Sequence, residues 1–257
     1  MELIDTHAHL TYEGLEDRID QVLAASRAAG VVEWITVGTD RVNIEKTLRL
    51  VPNYAGMWAG LGIHPHYANE ATSEDIAYLR ASLSHDKVVA VGETGLDYHY
   101  DNLVKDNQFR LFRAHLELAV AFQKPVIVHT RVAFDDTMAI LADYDNKLPG
   151  VVIHCYGGGA EQTRIVLERG YYVSFTGTIT FKKSDALREV AKMIPPDRVM
   201  LETDCPFISP EPVRRIQPNE PALMVHTARC LADLYGMPIE QFAALTTAAA
   251  RRFYRLK

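Results

Sequence analysis

Short apolar, β-branched runs alternate with longer segments whose apolar residues recur at helical spacing. Leu3-Ile4-Asp5-Thr6-His7 is the first strand candidate. Between Glu13 and Ala29, apolar residues at Leu15, Ile19, Val22 and Leu23 mark one helix face, and Gly30 stops it. The same alternation predicts strands over 32–38, 56–63, 88–92, 125–129, 151–154, 171–175 and 199–202. Helices are predicted over 42–51, from Ser73 through Leu83, and over 102–122, 134–144, 160–169 and 184–193. A Pro-rich loop from Pro206 to Pro221 leads into two last helices that end near Phe253.

Strands that alternate with helices over about 250 residues predict an α/β protein of (β/α)8 TIM-barrel type. A doubly wound open sheet is the structural alternative. No Gly-x-Gly-x-x-Gly follows a strand, so its dinucleotide-binding form has no support. No internal repeat or linker divides the chain, so residues 1–257 are expected to form a single domain.

Composition narrows the class. The chain is 48% hydrophobic and 23% charged, which excludes a disordered or fibrous protein. No apolar run approaches the ~20 residues of a membrane span, and no membrane association is expected. The N-terminal residues have neither a basic nor a long apolar region of a signal peptide, and a cytoplasmic location is the expectation. Cys155, Cys205 and Cys230 are too few and too scattered for a disulfide framework. A net charge of −6 argues against a nucleic-acid coat protein, but not against an enzyme that works on nucleic acid.

The chemistry lies where the strands end. His7 and His9 end the first, His64 the third, Glu93 the fourth, His129 the fifth and His154 the sixth. Glu202 and Asp204 end the eighth. The C-terminal strand ends of a barrel converge on one mouth, where active sites are built. His7 and His9, two residues apart, point to one face of their strand. Alternation is expected to do the same for Glu202 and Asp204, and Asp204 to complete a metal site begun by His7 and His9. His129 and His154 are placed to hold a second ion, with Glu93 bridging the two. A lone strand-end histidine is commonly structural, but burying so many ionisable groups together without a metal would be very costly. His64 is a candidate for contact with substrate. Arg131 is a candidate for an anionic oxygen, and Asp97 and Tyr98 for positioning roles. Cys155 and Cys205, one step from expected ligands, should pack.

These motifs resemble the TatD family of metal-dependent hydrolases. The resemblance covers nearly the whole chain and is carried by Ile4-Asp5-Thr6-His7-Ala8-His9-Leu10, Gly62-Ile63-His64-Pro65 and Gly92-Glu93-Thr94-Gly95-Leu96-Asp97-Tyr98. It continues through Gln108, Phe112, the segment from Pro125 to Arg131, and His154-Cys155-Tyr156. The stretches 177–182, 201–206 and Asn219-Glu220-Pro221 complete it. It implies an amidohydrolase-like barrel with two divalent ions, Zn²⁺, Mg²⁺ or Mn²⁺. His7, His9, Glu93 and Asp204 would hold one ion, and Glu93, His129 and His154 the other. It further implies a deoxyribonuclease that shortens DNA, single-stranded by preference, from the 3′ end by metal-activated water. Asp204 would start the attack, Glu202 would assist, His64 would contact the reacting phosphate and Arg131 would help to bind it. Lys182 and Arg214 extend the phosphate-binding set.

Three positions depart from the family pattern. Val132 stands where an acidic residue is usual, Gly157-Gly158 replace Ser-Gly, and Arg214-Arg215-Ile216-Gln217-Pro218 is a longer, less basic loop. All lie on the expected substrate side. They keep a hydrolase of a small ester, lactone or amide open as the alternative, beside a non-catalytic metal-binding protein. A monomer fits the sequence as well as any oligomer.

Overall fold

The computed structural model describes residues 1–100 and 103–256. Among them, eight parallel strands form one sheet in sequential order. They are β1 (Leu3–Ala8), β2 (Val31–Gly38), β3 (Met57–Leu61), β4 (Val88–Asp97), β5 (Val126–Arg131), β6 (Val151–Ile153), β7 (Tyr172–Phe175) and β8 (Val199–Leu201). The helices between them are α1 (Ile19–Ala28), α2 (Arg41–Leu50), α3 (Ser73–Ser82), α4 (Lys105–Phe122), α5 (Phe134–Ala142), α6 (Ala160–Glu168) and α7 (Asp185–Lys192). This is the (β/α)8 topology that the alternation predicts. Two more helices, α8 (Met224–Leu234) and α9 (Ile239–Tyr254), follow β8. The expected first residue of the fourth helix, Asn102, lies outside the described residues.

The described chain forms two compact units. One comprises Met1–Thr36, Ala55–Met57 and the chain from Cys155 on. Here β1 pairs with β2, Asp5 opposite Trp34 and Ala8 opposite Thr36, and β7 pairs with β8. The Trp34 indole is wholly buried and donates to Ser26 Oγ at 2.8 Å, which satisfies its one polar atom inside the core. Asp5 joins β1 to the segment after β8, accepting from Thr203 N–H at 3.0 Å and Thr203 Oγ1 at 2.6 Å.

The other unit comprises Val37–Tyr54 and Trp58–His154. Its core strand is β4, which runs five residues beyond the expected stop at Gly92 and pairs with β5 from Val91 to Asp97. The glycines there are close-approach residues rather than turn signals. A Cβ on Gly95 would lie 2.0 Å from the His129 carbonyl oxygen, and φ there is +145°, so no other side chain fits. Val91 pairs with Val126 but Thr94 with Val128, so β4 carries one extra residue at Gly92-Glu93. Such a bulge re-aims a side chain. The helix α3 begins in a capping box, Thr72 with Asp75, one residue before the serine that marks its start in the sequence.

Candidate metal centres

Two clusters of imidazoles and carboxylates form, one in each unit. In the first, the backbone ladder continues past the ends of two strands. The Asp204 N–H donates to His7 O at 2.9 Å and the His9 N–H to Cys205 O at 2.8 Å. That holds the Asp204 carboxylate against the two rings. His7 Nε2 lies 3.3 Å from His9 Nε2, and Asp204 Oδ1 lies 3.2 Å from His9 Nε2 and 3.6 Å from His7 Nε2. His7 and His9 share a face as strand alternation predicts. Glu202 and Asp204 do not owe their positions to it. The strand ends at Leu201, and Asp204 reaches His9 from a left-handed backbone with φ +53°. Glu202 is buried, a carboxylate oxygen lies within 4.8 Å of a His7 nitrogen, and Glu202 Oε1 accepts from Cys155 N–H at 2.6 Å.

The second cluster centres on Glu93, which sits in the β4 bulge and not at a strand end. One carboxylate oxygen, Oε1, is 2.7 Å from His154 Nε2, 2.8 Å from His129 Nδ1 and 3.3 Å from His64 Nε2. His129 also stands inside its strand, because β5 continues to Arg131. Burial alone would raise the Glu93 carboxyl pKa, but His154, His64 and His129 around it hold it well below the usual carboxylate range. Burial pushes His64 down to about 4 against the pull of Glu93, so its ring is neutral at pH 7. Its Nδ1 accepts from His66 N–H at 3.1 Å, which leaves the ring proton on Nε2.

Both clusters suit a divalent cation. His129 Nδ1 and His154 Nε2 face each other at 3.2 Å, as His7 Nε2 and His9 Nε2 do at 3.3 Å. In each cluster, ring nitrogens and a carboxylate oxygen thus converge. Three nitrogen or carboxylate donors with a position left open is the donor set of a catalytic metal.

Asp97 plays a larger part than the sequence suggests. Its Oδ2 lies 3.0 Å from His129 Nε2 and 2.8 Å from His66 Nε2. Burial would raise this carboxyl, but the hydrogen bonds from His129, His66 and His99 N–H depress it strongly. His129 is raised in turn, its burial outweighed by hydrogen bonds to Asp97 and Glu93. A carboxylate on the far nitrogen of a metal-facing histidine fixes its tautomer and raises its basicity. Gln108 of α4 clamps the Asp97 backbone, its Oε1 accepting from Asp97 N–H at 2.8 Å and its Nε2 donating to Asp97 O at 2.9 Å. The signal for Asp97 was its spacing of four from Glu93. A strand that stops at Gly92 hides that spacing, whereas β4 continues to Asp97. His66 carries no such signal. Tyr98 donates to Asp136 Oδ2 at 2.6 Å and so secures the start of α5, and the buried Cys205 packs as expected.

The expected phosphate ligands fall in different units, Arg131 in one and Lys182 and Arg214 in the other. Arg131 ends β5 in an exposed position, its guanidinium 5.8 Å from the Tyr100 ring. Lys182 and Arg214 come together with Arg215 around a surface pocket of about 530 Å³ that Glu211 also lines. Arg214 lies over the Phe181 ring at 3.9 Å. The loop after β8 that carries Arg214 and Arg215 is staked by Asn219, which donates through Nδ2 to Thr203 O at 3.1 Å and Phe207 O at 2.6 Å.

A (β/α)8 fold with histidines and carboxylates clustered on and just after its strands defines the class of metal-dependent hydrolases. The family model for TatD related DNase matches residues 4–255, and the chain belongs to that family. It is 39% identical over 254 residues to an uncharacterized metal-dependent hydrolase, YabD, of Bacillus subtilis, covering 99% of both chains. It is 33% identical over 259 residues to the 3′-5′ ssDNA/RNA exonuclease TatD of Erwinia billingiae, again covering 99% of both. The crystal structure of the TatD homolog YjjV from Escherichia coli superposes with a TM-score of 0.94 at 29% identity, covering 99% of this chain and 98% of that one. The enzyme is thus a metal-dependent hydrolase of the TatD family. Among the described residues, no helix is long and apolar enough to cross a membrane.

Proposed function

We propose that the enzyme is a divalent-metal-dependent deoxyribonuclease that removes nucleotides from the 3′ end of single-stranded DNA. The observation that carries this reading is the pair of donor sets, His7–His9–Asp204 and Glu93–His129–His154, in a chain one-third identical to a protein named as a 3′-5′ exonuclease. Each set would hold one divalent ion, Zn²⁺, Mg²⁺ or Mn²⁺. Bound there, the ions would supply Lewis acidity toward phosphoryl oxygens and lower the pKa of water at the site.

The protein's own groups do the rest. Asp204 has one oxygen on the histidines and its carboxylate remains partly exposed, so it can receive a proton from the attacking water. Glu202, fixed by the Cys155 N–H, assists from the same cluster. His64 is neutral at pH 7 and carries its proton on Nε2, where Glu93 Oε1 now faces it, so a phosphoryl oxygen that displaces this contact would gain a donor. Arg131 binds the reacting phosphate, and Lys182 and Arg214 bind phosphates further along the strand.

The test is incubation with labelled single-stranded DNA and added Mg²⁺, Mn²⁺ or Zn²⁺, beside EDTA and a His129→Ala variant. Metal-dependent shortening that both controls abolish is the expected result. Absence of cleavage with every metal would overturn the reading and redirect the search to small esters, lactones and amides. The single glutamate among the cations of the Lys182 pocket is the feature that favours that alternative.

A further inference from the structure

Phe207 is 48% exposed, although the backbone that carries it is held firmly. Its N–H donates to Asp204 O at 3.0 Å and its carbonyl accepts from Asn219. The ring therefore cannot drift far from the His7–His9–Asp204 cluster. It meets the His9 ring edge-on at 6.1 Å and 68°, and the Tyr12 ring at 6.1 Å and 90°. Tyr12 in turn lies against His9 with centroids 4.8 Å apart. Three rings thus form a shelf of which one member is a candidate metal ligand and another is open to solvent.

The shelf presents aromatic surface to solvent beside a cluster of histidines and a carboxylate. The same loop carries Arg214 and Arg215, which line a pocket with Lys182 and set three cations in the same unit as the shelf. Alternating phosphate and flat apolar surface is the chemistry of single-stranded nucleic acid. We propose that Phe207, backed by Tyr12, is a stacking seat for the nucleobase next to the scissile phosphate. Because every base has a π-face, the seat tolerates any sequence and discriminates a base from its absence. This rests on the nuclease reading.

The experiment compares kcat/KM for two otherwise identical single-stranded oligonucleotides, one ending at its 3′ side in a normal nucleotide and the other in a tetrahydrofuran abasic residue. Wild type is expected to prefer the base-bearing end by about tenfold, the scale of one base–aromatic stack. In Phe207→Leu, which keeps apolar bulk but loses the ring, the preference should fall to near unity, through KM more than kcat. Phe207→Trp should restore it. A 2-aminopurine placed at the 3′ end should lose fluorescence on binding to wild type and Phe207→Trp, and much less on binding to Phe207→Leu. If wild type cleaves both ends and Phe207→Leu keeps the full preference, the seat is wrong and the nuclease reading stands. If wild type cleaves neither, both fall.

Discussion

Asp97 Oδ2 lies 3.0 Å from His129 Nε2, on the side of the ring opposite Glu93. The imidazole is held at both nitrogens and cannot rotate without breaking a charge-assisted contact. Asp97→Asn keeps the shape and removes the charge. It should weaken metal binding by about 10–100-fold, as loss of such an outer carboxylate does elsewhere. Competition against a chromophoric chelator measures this directly. Unchanged affinity in Asp97→Asn would reduce Asp97 to a structural residue.

Removing the metal should loosen the fold as well as stop turnover. A cation present at 100 times its Kd stabilises the native state by about 2.7 kcal/mol. At roughly 2–4 °C per kcal/mol for a chain of this size, EDTA should lower Tm by about 5–10 °C. His129→Ala and Asp204→Ala should each abolish turnover, and each should shrink the EDTA-induced shift. A shift of wild-type size in either variant would remove that residue from the ligand set.

Gly95→Ala should be among the most damaging of small substitutions. Its Cβ would collide with the His129 carbonyl, on a backbone with φ +145°. The strain should exceed about 3 kcal/mol and displace His129 with its strand. Insoluble protein or a large fall in urea midpoint is expected. A stable, active Gly95→Ala variant would contradict the β4–β5 register.

His115 sets part of the acid limit of stability. It is wholly buried on α4, accepts from Ile63 N–H at Nε2 (2.8 Å) and donates from Nδ1 to Leu111 O (2.8 Å). Burial lowers its pKa to about 4 from 6.5. The unfolded chain therefore takes up this proton first as pH falls. The native state loses stability from about pH 6.5 down to pH 4, and this one residue contributes about 2 kcal/mol of loss between pH 7 and pH 5. Urea titrations at the two pH values should show that His115→Gln has a correspondingly smaller pH dependence, whatever its absolute stability.

If Lys182 and Arg214 bind phosphates, the affinity for an oligonucleotide should fall steeply with salt. Each contact contributes a slope of about −0.7 in log K against log salt for single strands. Lys182→Ala and Arg214→Ala should each flatten the slope by about that amount and weaken binding alike for all sequences. A variant with an unaltered slope would place its residue outside the nucleic-acid path.

The order of strands and helices could be read from the chain because apolar periodicity reports it directly. The candidate ligands could be read because each follows a strongly apolar run. What could not be read was the backbone that aims them. Gly92 and Gly95 look like the end of a strand, yet they lie inside one, where the neighbouring strand passes too close for a Cβ. That misreading hid the bulge under Glu93 and kept Asp97 off the strand. Likewise, nothing in Thr203-Asp204-Cys205 announces a left-handed residue, so alternation was a reasonable but mistaken account of how Asp204 meets His9. Lys182 and Arg214 share a charge, but no pattern in the chain shows that they line one pocket.

The Asn219 clamp divides the long loop after β8 into parts with different freedom to change. The segment from Thr203 to Phe207 is tied to the histidine pair at one end and to Asn219 at the other. Between Phe207 and Asn219 the chain is tied again where Glu211 N–H donates to Thr180 Oγ1 and Ser209 Oγ to Ile216 O, which leaves the turn around Val213 and Arg214 as its loosest part. Length and charge changes at that turn should leave Asp204 in register, because the Asn219 bonds to Thr203 O and Phe207 O lie outside it. The chain thus separates a fixed staple for its metal-facing carboxylate from a small exposed turn, and a designer who wants to graft new sequence should begin at that turn.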